Sequence, residues 1–181
     1  RTLDRGERRS DSLLLVAQSR DDPRHGGERP IDLRSDGFEA LRFDFAPDLP
    51  SIRADASQIR QVVMSLVTNA SEAIGDRGGT ITISTGVAEY SRAELADNWF
   101  NDDLPGGQYV AFGVSDTGCG MDDDTVKRIF DPFFTTKFTG RGLGLAAVLG
   151  IARGHKAAIR LHTALGRGTD LQILFPAAPA T

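Results

Sequence analysis

Asp116 to Leu145 reads DTGCGMDDDTVKRIFDPFFTTKFTGRGLGL. Within thirty residues it holds two glycine clusters, a short run opened by aspartates, a Phe-rich turn and a Thr/Lys/Arg run. That combination suits a site where backbone approaches a flat base at one end and polyanionic phosphates at the other. Asp116 ends an apolar run, YVAFGVS, so its carboxylate sits at the mouth of a strand and can accept a hydrogen bond from an exocyclic amino group. Gly118 and Gly120 remove Cβ atoms, which lets backbone lie close to a base or simply reverses the chain. Gly140, Gly142 and Gly144, with Leu143 between the last two, open a helix. A helix N-terminus offers unpaired N–H groups and the positive end of a dipole, which favour phosphate. Lys137 and Arg141 are the charge partners and Thr135 and Thr136 the hydroxyl donors. These glycines follow a Phe-rich loop rather than a strand, so the dinucleotide-binding reading of such a pattern fails.

Upstream, Asp55 to Ile74 has the strongest helical pattern. Ile59, Val62, Val63, Leu66, Val67, Ala70, Ala73 and Ile74 recur at helical spacing. Asp55 with Gln58 predicts a capping box, and Gly75 the stop. Asn69 lies on the polar flank, a neutral oxygen ligand suited to Mg²⁺ beside phosphates. Strands are predicted over 41–45, 80–87, 109–115, 157–163 and 169–175, and helices over 122–130 and 143–153. The polar excursion 89–107 reads as a long hairpin connection in which Trp99 is a packing anchor. Ser10 to Arg20 has a helical pattern and 21–30 is a linker by composition, so the domain proper starts near Ile31. The elements lack βαβ regularity. They predict an α/β (α+β) two-layer sandwich: a mixed, mostly antiparallel sheet with helices on one face.

The 181 residues are 40% hydrophobic and 25% charged with net charge −4, ordinary for one globular domain. The charge argues against nucleic acid as a partner and against membrane surfaces. No apolar run reaches the roughly 20 residues of a membrane span. The single cysteine, Cys119, excludes an internal disulfide framework and fits a reducing, cytoplasmic setting. Asp122, Asp123 and Asp124 are explained by helix capping rather than by metal, and His25, His155 and His162 have no ligand spacing. The chain opens at Arg1 without Met, as a piece of a longer protein would.

Four motifs occur in one order: TNASEA (68–73), DTGCG (116–120), IFDPFFTTK (129–137) and GRGLGL (140–145). In that order they closely resemble the catalytic ATP-binding domain of sensor histidine kinases, in the superfamily shared with gyrase, Hsp90 and MutL. The resemblance runs from about Ile31 to Pro176. It implies a Bergerat-type ATP-binding fold with domains at 1–30 (end of a helical dimerisation region plus linker), 31–176 (catalytic) and 177–181 (tail). It implies ATP and Mg²⁺ as cofactors: Asn69 on Mg²⁺, Asp116 on the adenine amino group, Gly118 and Gly120 lining the base pocket. Phe130, Phe133 and Phe134 would form the Phe-rich turn and Thr135 to Arg141 a lid. Gly140, Gly142, Leu143 and Gly144 would lie at the phosphates, with Thr169 supporting the adenine pocket.

The activity implied is transfer of the ATP γ-phosphate to a histidine on a separate dimerisation domain of the same parent. A response regulator receiver domain would be a further partner and the parent a homodimer, in some cases membrane-anchored. Three departures accompany the resemblance. Ser65 stands one turn before Asn69, where hydrolysing relatives carry a glutamate, and a serine is a poor general base. His25 lies in a linker and does not match the phosphoacceptor. Only seven residues separate Leu33 from Leu41, where the family has a helix, so either Ser10 to Arg20 covers that part of the sheet or apolar surface is left bare. The alternative readings are a non-catalytic nucleotide-binding regulatory module and an ATP-hydrolysing clamp or chaperone.

Overall fold

A computed structural model describes residues 40–96, 99, 103–136 and 141–179. The expected helix at Ser10 to Arg20, the linker and the boundary near Ile31 lie outside the described residues, as do Lys137 and Gly140. The elements in order are β1 (Ala40–Phe45), α1 (Ala56–Ile74), β2 (Thr80–Tyr90), α2 (Arg92–Leu95), β3 (Gly107–Asp116), α3 (Asp123–Val126), α4 (Gly144–Gly154), β4 (Ala158–Ala164) and β5 (Gly168–Pro176). The strands form one sheet in the order β1-β2-β3-β5-β4. β1 runs parallel to β2 because the α1 crossover joins them, and the other pairs are antiparallel. The sheet is therefore mixed and mostly antiparallel, as the sequence predicts.

The α1 helix forms where its periodicity places it. The Asp55 carboxylate accepts the N–H groups of Ser57 and Gln58, the Asp55 half of the capping box, and Gly75 ends the helix at φ +58°. Its stripe Val62, Leu66, Ala70 and Ile74 is buried against Ile81, Ile83 and Val114 of the sheet and Val148 and Ala152 of α4. This is the main core. Strand residues of the opposite parity, Tyr109, Ala158 and Leu174, pack instead with Leu95 and Leu104. The excursion after β2 thus covers part of the second face, a role the sequence reading did not assign it. Its Ser91 and Glu94 form a reciprocal capping box for α2. Trp99 meets Phe130 edge-on, ring centroids 4.8 Å apart, in keeping with a packing anchor.

The expected helix at 122–130 is helical only over Asp123–Val126. Arg128, Asp131 and Phe134 then donate to carbonyls three residues back, a run of tight turns. Pro132 accounts for part of this, since it supplies no N–H and pushes Asp131 away from helical backbone.

Candidate functional site

The strong helix and the quoted stretch meet at a cavity of about 740 Å³. One wall is the flank of α1 carrying Ser65, Asn69 and Glu72. The floor includes Asp116, Thr169 and Leu171, and the remaining wall is built from 119–122, 134–136 and 141–145. Asp116 ends β3 and is 8% exposed, the only buried charged side chain among the described residues. A buried carboxylate requires donors, and its Oδ1 accepts the Gly118 N–H at 2.8 Å. Thr169 sits directly across from Asp116 on β5.

The loop after Asp116 is clamped from two sides. Cys119 N–H donates to Ala73 O at the end of α1 (3.0 Å), and Gly166 N–H donates to Cys119 O from the β4–β5 turn (2.7 Å). A Cβ on Gly118 would stand 2.6 Å from the Ala73 carbonyl, and one on Gly120 only 1.9 Å from Ala164 O. Gly120 also has φ +63°. These glycines are therefore required by close approach to the protein's own chain, whatever lies in the cavity. Gly120 still borders the cavity, whereas Gly118 is not on its wall.

The sequence reading missed Thr163. Its hydroxyl accepts the Met121 N–H (3.0 Å), donates to Gly168 O (2.9 Å) and lies 3.1 Å from Thr169 Oγ1. It fixes the far side of the loop. Strand alternation placed Thr163 on the helix-bearing face, which was the available signal.

At the other end of the cavity α4 begins. Leu143 at its N-cap gives no side-chain hydrogen bond, so the first N–H groups of α4 have no side-chain cap, and Gly142, Leu143 and Gly144 all border the cavity. A Cβ on Gly144 would lie 3.8 Å from Ser65, which puts this helix end beside α1. Gly142 has φ +65°, and a Cβ there would meet Phe133 backbone at 2.4 Å. Phe133 N–H donates to Gly142 O (2.8 Å), holding the Phe-rich turn against the glycine loop. Phe134 borders the cavity with the Arg128 guanidinium 4.4 Å from its ring centroid. Thr136 and Arg141 reach the wall. Phe130 does not: it is 7% exposed in the main core, a correction to the binding role expected of it.

Asp122 accepts the Thr125 N–H as the cap of α3, as the sequence predicts. Hydrogen bonds from the Thr125 hydroxyl and then its N–H hold the Asp122 carboxyl below the ordinary carboxylate range. No cluster of three His, Cys, Asp or Glu side chains able to hold a metal occurs among the described residues. A divalent cation here would depend on ligand phosphates and water, with Asn69 on the wall as a neutral partner whose amide nitrogen is buried. The donor set fits Mg²⁺ in that limited sense.

Residues 54–179 match the family described as "Histidine kinase-, DNA gyrase B-, and HSP90-like ATPase". The chain is 39% identical over 138 residues to "Sensor kinase CckA" of Brucella abortus, covering 75% of this chain and 14% of that protein. It is 38% identical over 135 residues to "Sensory histidine kinase/phosphatase NtrB" of Rhizobium meliloti, covering 74% and 34%. The chain thus spans about a third of one relative and about a seventh of the other. Among solved structures, the nucleotide-free catalytic domain of histidine kinase ThkA superposes with TM-score 0.58 at 28% identity, over 77% of this chain and 79% of that one. Full-length ShkA, solved in complex with AMPPNP, gives 0.60 at 27% identity, over 78% and 26%.

Proposed function

Since the chain belongs to the family of histidine kinase-, DNA gyrase B- and HSP90-like ATPases, we propose that it is the ATP-binding kinase module of a two-component sensor histidine kinase. The observation that carries this reading is one cavity with a buried carboxylate, Asp116, at one end and the side-chain-uncapped N-terminus of α4 at the other. The adenine amino group donates to Asp116, whose carboxylate is oriented by the Gly118 N–H and backed by Thr169. The phosphates lie at Gly142, Leu143 and Gly144, where the helix dipole and backbone N–H groups offset their charge. Arg141 and Thr136 add charge and a hydroxyl there. Lys137 and Gly140 belong to the same group by sequence.

Mg²⁺, when bound, would supply charge neutralisation at the phosphates, and Asn69 is the side chain that would hold it. The chemistry then consists of positioning. A histidine nitrogen of a separate dimerisation domain attacks the γ-phosphorus, the bond to the β-phosphate oxygen breaks, and ADP leaves. Ser65 beside Gly144 supplies no carboxylate to activate water, which favours transfer over hydrolysis. We further propose a cytoplasmic setting, a homodimeric parent and a response regulator receiver domain as the next acceptor.

The test mixes the chain with γ-labelled ATP, with and without the helical domain bearing the parent's acceptor histidine. The reading predicts acid-labile label on the added domain and none on this chain. Label on this chain alone, or nucleotide binding with no transfer to the histidine, would overturn it, the second outcome favouring a regulatory module. Steady phosphate release by the chain alone would favour a clamp-type ATPase.

A further inference from the structure

Thr163 lies behind the Asp116 end of the cavity rather than on its wall. It is on β4, directly across from Thr169 of β5, which stands in turn across from Asp116 of β3. The three side chains share the helix-bearing face of the sheet, because direct cross-strand partners point the same way. Thr169 and Asp116 both border the cavity. Directly opposed residues of antiparallel strands have Cα atoms about 4.5–5.5 Å apart, so a group that reaches the Asp116 carboxylate also comes within reach of the Thr169 hydroxyl.

A threonine hydroxyl has one proton and two lone pairs. At Thr163 one lone pair takes the Met121 N–H, and the proton goes to Gly168 O. The 3.1 Å contact with Thr169 Oγ1 is then a hydrogen bond in which Thr169 donates into the second lone pair. Thr169 thus gives its own proton to Thr163 and leaves only lone pairs for anything in the cavity. Beside it the Asp116 carboxylate, oriented by the Gly118 N–H, also accepts. Gly168 ties this arrangement to the cavity floor: a Cβ there, at φ +82°, would stand 1.9 Å from Asp116 O. We propose, resting on the nucleotide reading, that Thr163 is a positioning residue for the base. By holding Thr169 as an acceptor, it makes this end of the cavity favour a purine with an amino group at position 6. A purine with a carbonyl oxygen there meets lone pairs from both residues and is turned away.

Calorimetric titration with Mg-ATP and Mg-ITP tests this, since hypoxanthine carries an oxygen where adenine carries the amino group. Thr163→Val keeps the shape, removes the hydroxyl and frees the Thr169 proton to turn toward a carbonyl oxygen. The ATP-over-ITP affinity ratio should then fall about threefold to tenfold, the effect of one neutral hydrogen bond. Thr163→Ser should keep the ratio of the unaltered chain. In a Thr169→Val background, Thr163→Val should leave the ratio where Thr169→Val alone puts it. In the nucleotide-free chain, Thr163→Val should speed hydrogen exchange of the Met121 amide, and Thr163→Ser should preserve its protection. Thr163→Ala gives the same comparisons where valine is not tolerated. A purely structural role would weaken both nucleotides alike, so an unchanged ratio in Thr163→Val would overturn the proposal. A ratio lost in Thr163→Ser, a further fall in the Thr169→Val background, or unaltered exchange at Met121 would do the same. Failure of the unaltered chain to bind either nucleotide would overturn the nucleotide reading and this role with it, whereas a flat ratio with binding intact overturns the role alone.

Discussion

Asp116 is the residue on which the nucleotide reading depends. Asp116→Asn keeps the shape but replaces a charged acceptor by a neutral amide. Hydrogen bonds to charged groups contribute about 1.5–3 kcal/mol, so ATP affinity should fall by about tenfold to a hundredfold in calorimetry. On the proposal that Asn69 holds the metal, Asn69→Ala should weaken binding of Mg-ATP more than that of ATP in EDTA. Gly120→Ala acts on the fold. Its Cβ would stand 1.9 Å from Ala164 O at φ +63°, so chemical denaturation should show a loss of roughly 2 kcal/mol or more. Asp116 and Asn69 were legible as candidates because a carboxylate at a strand end and an amide on a helix flank are local patterns. What surrounds the glycines was not. A glycine announces a close approach, but Ala73 and Ala164, the partners of Gly118 and Gly120, come from elements far away in sequence.

At the scale of elements, α1 is where the sequence spoke most clearly, because its burial pattern and its Asp55 cap are both short-range signals. Asp55→Ala should cost about 1 kcal/mol of stability. The α3 segment shows the limit. Asp122 correctly marked its start, but helical propensity could not foresee that the chain tightens into turns before Pro132. The Asp122 carboxyl titrates below its ordinary value in the folded chain. Its contribution is therefore present above the ordinary carboxylate pKa and lost as pH falls through the lowered one. Asp122→Ala should lower the melting midpoint at neutral pH and make no difference in acid below that lowered value. The excursion after β2 was the least legible element. Leu95 and Leu104 find their partners on the second face of the sheet only once the strands have paired.

At the scale of the molecule, the mixed sheet with α1 and α4 on one face brings residues 65–72 and 116–145 to one cavity, and neither segment forms it alone. That convergence explains why four modest motifs acquire meaning through their order. It also gives the cavity two unlike ends, the clamped loop after Asp116 at one and the N-terminus of α4 at the other. The most direct measurement is a calorimetric titration of this chain with Mg-ATP beside its Asp116→Asn variant. One-to-one, Mg²⁺-dependent binding that the substitution weakens at least about tenfold is the predicted result. Equal affinity in the two proteins would contradict it and place the nucleotide outside this cavity.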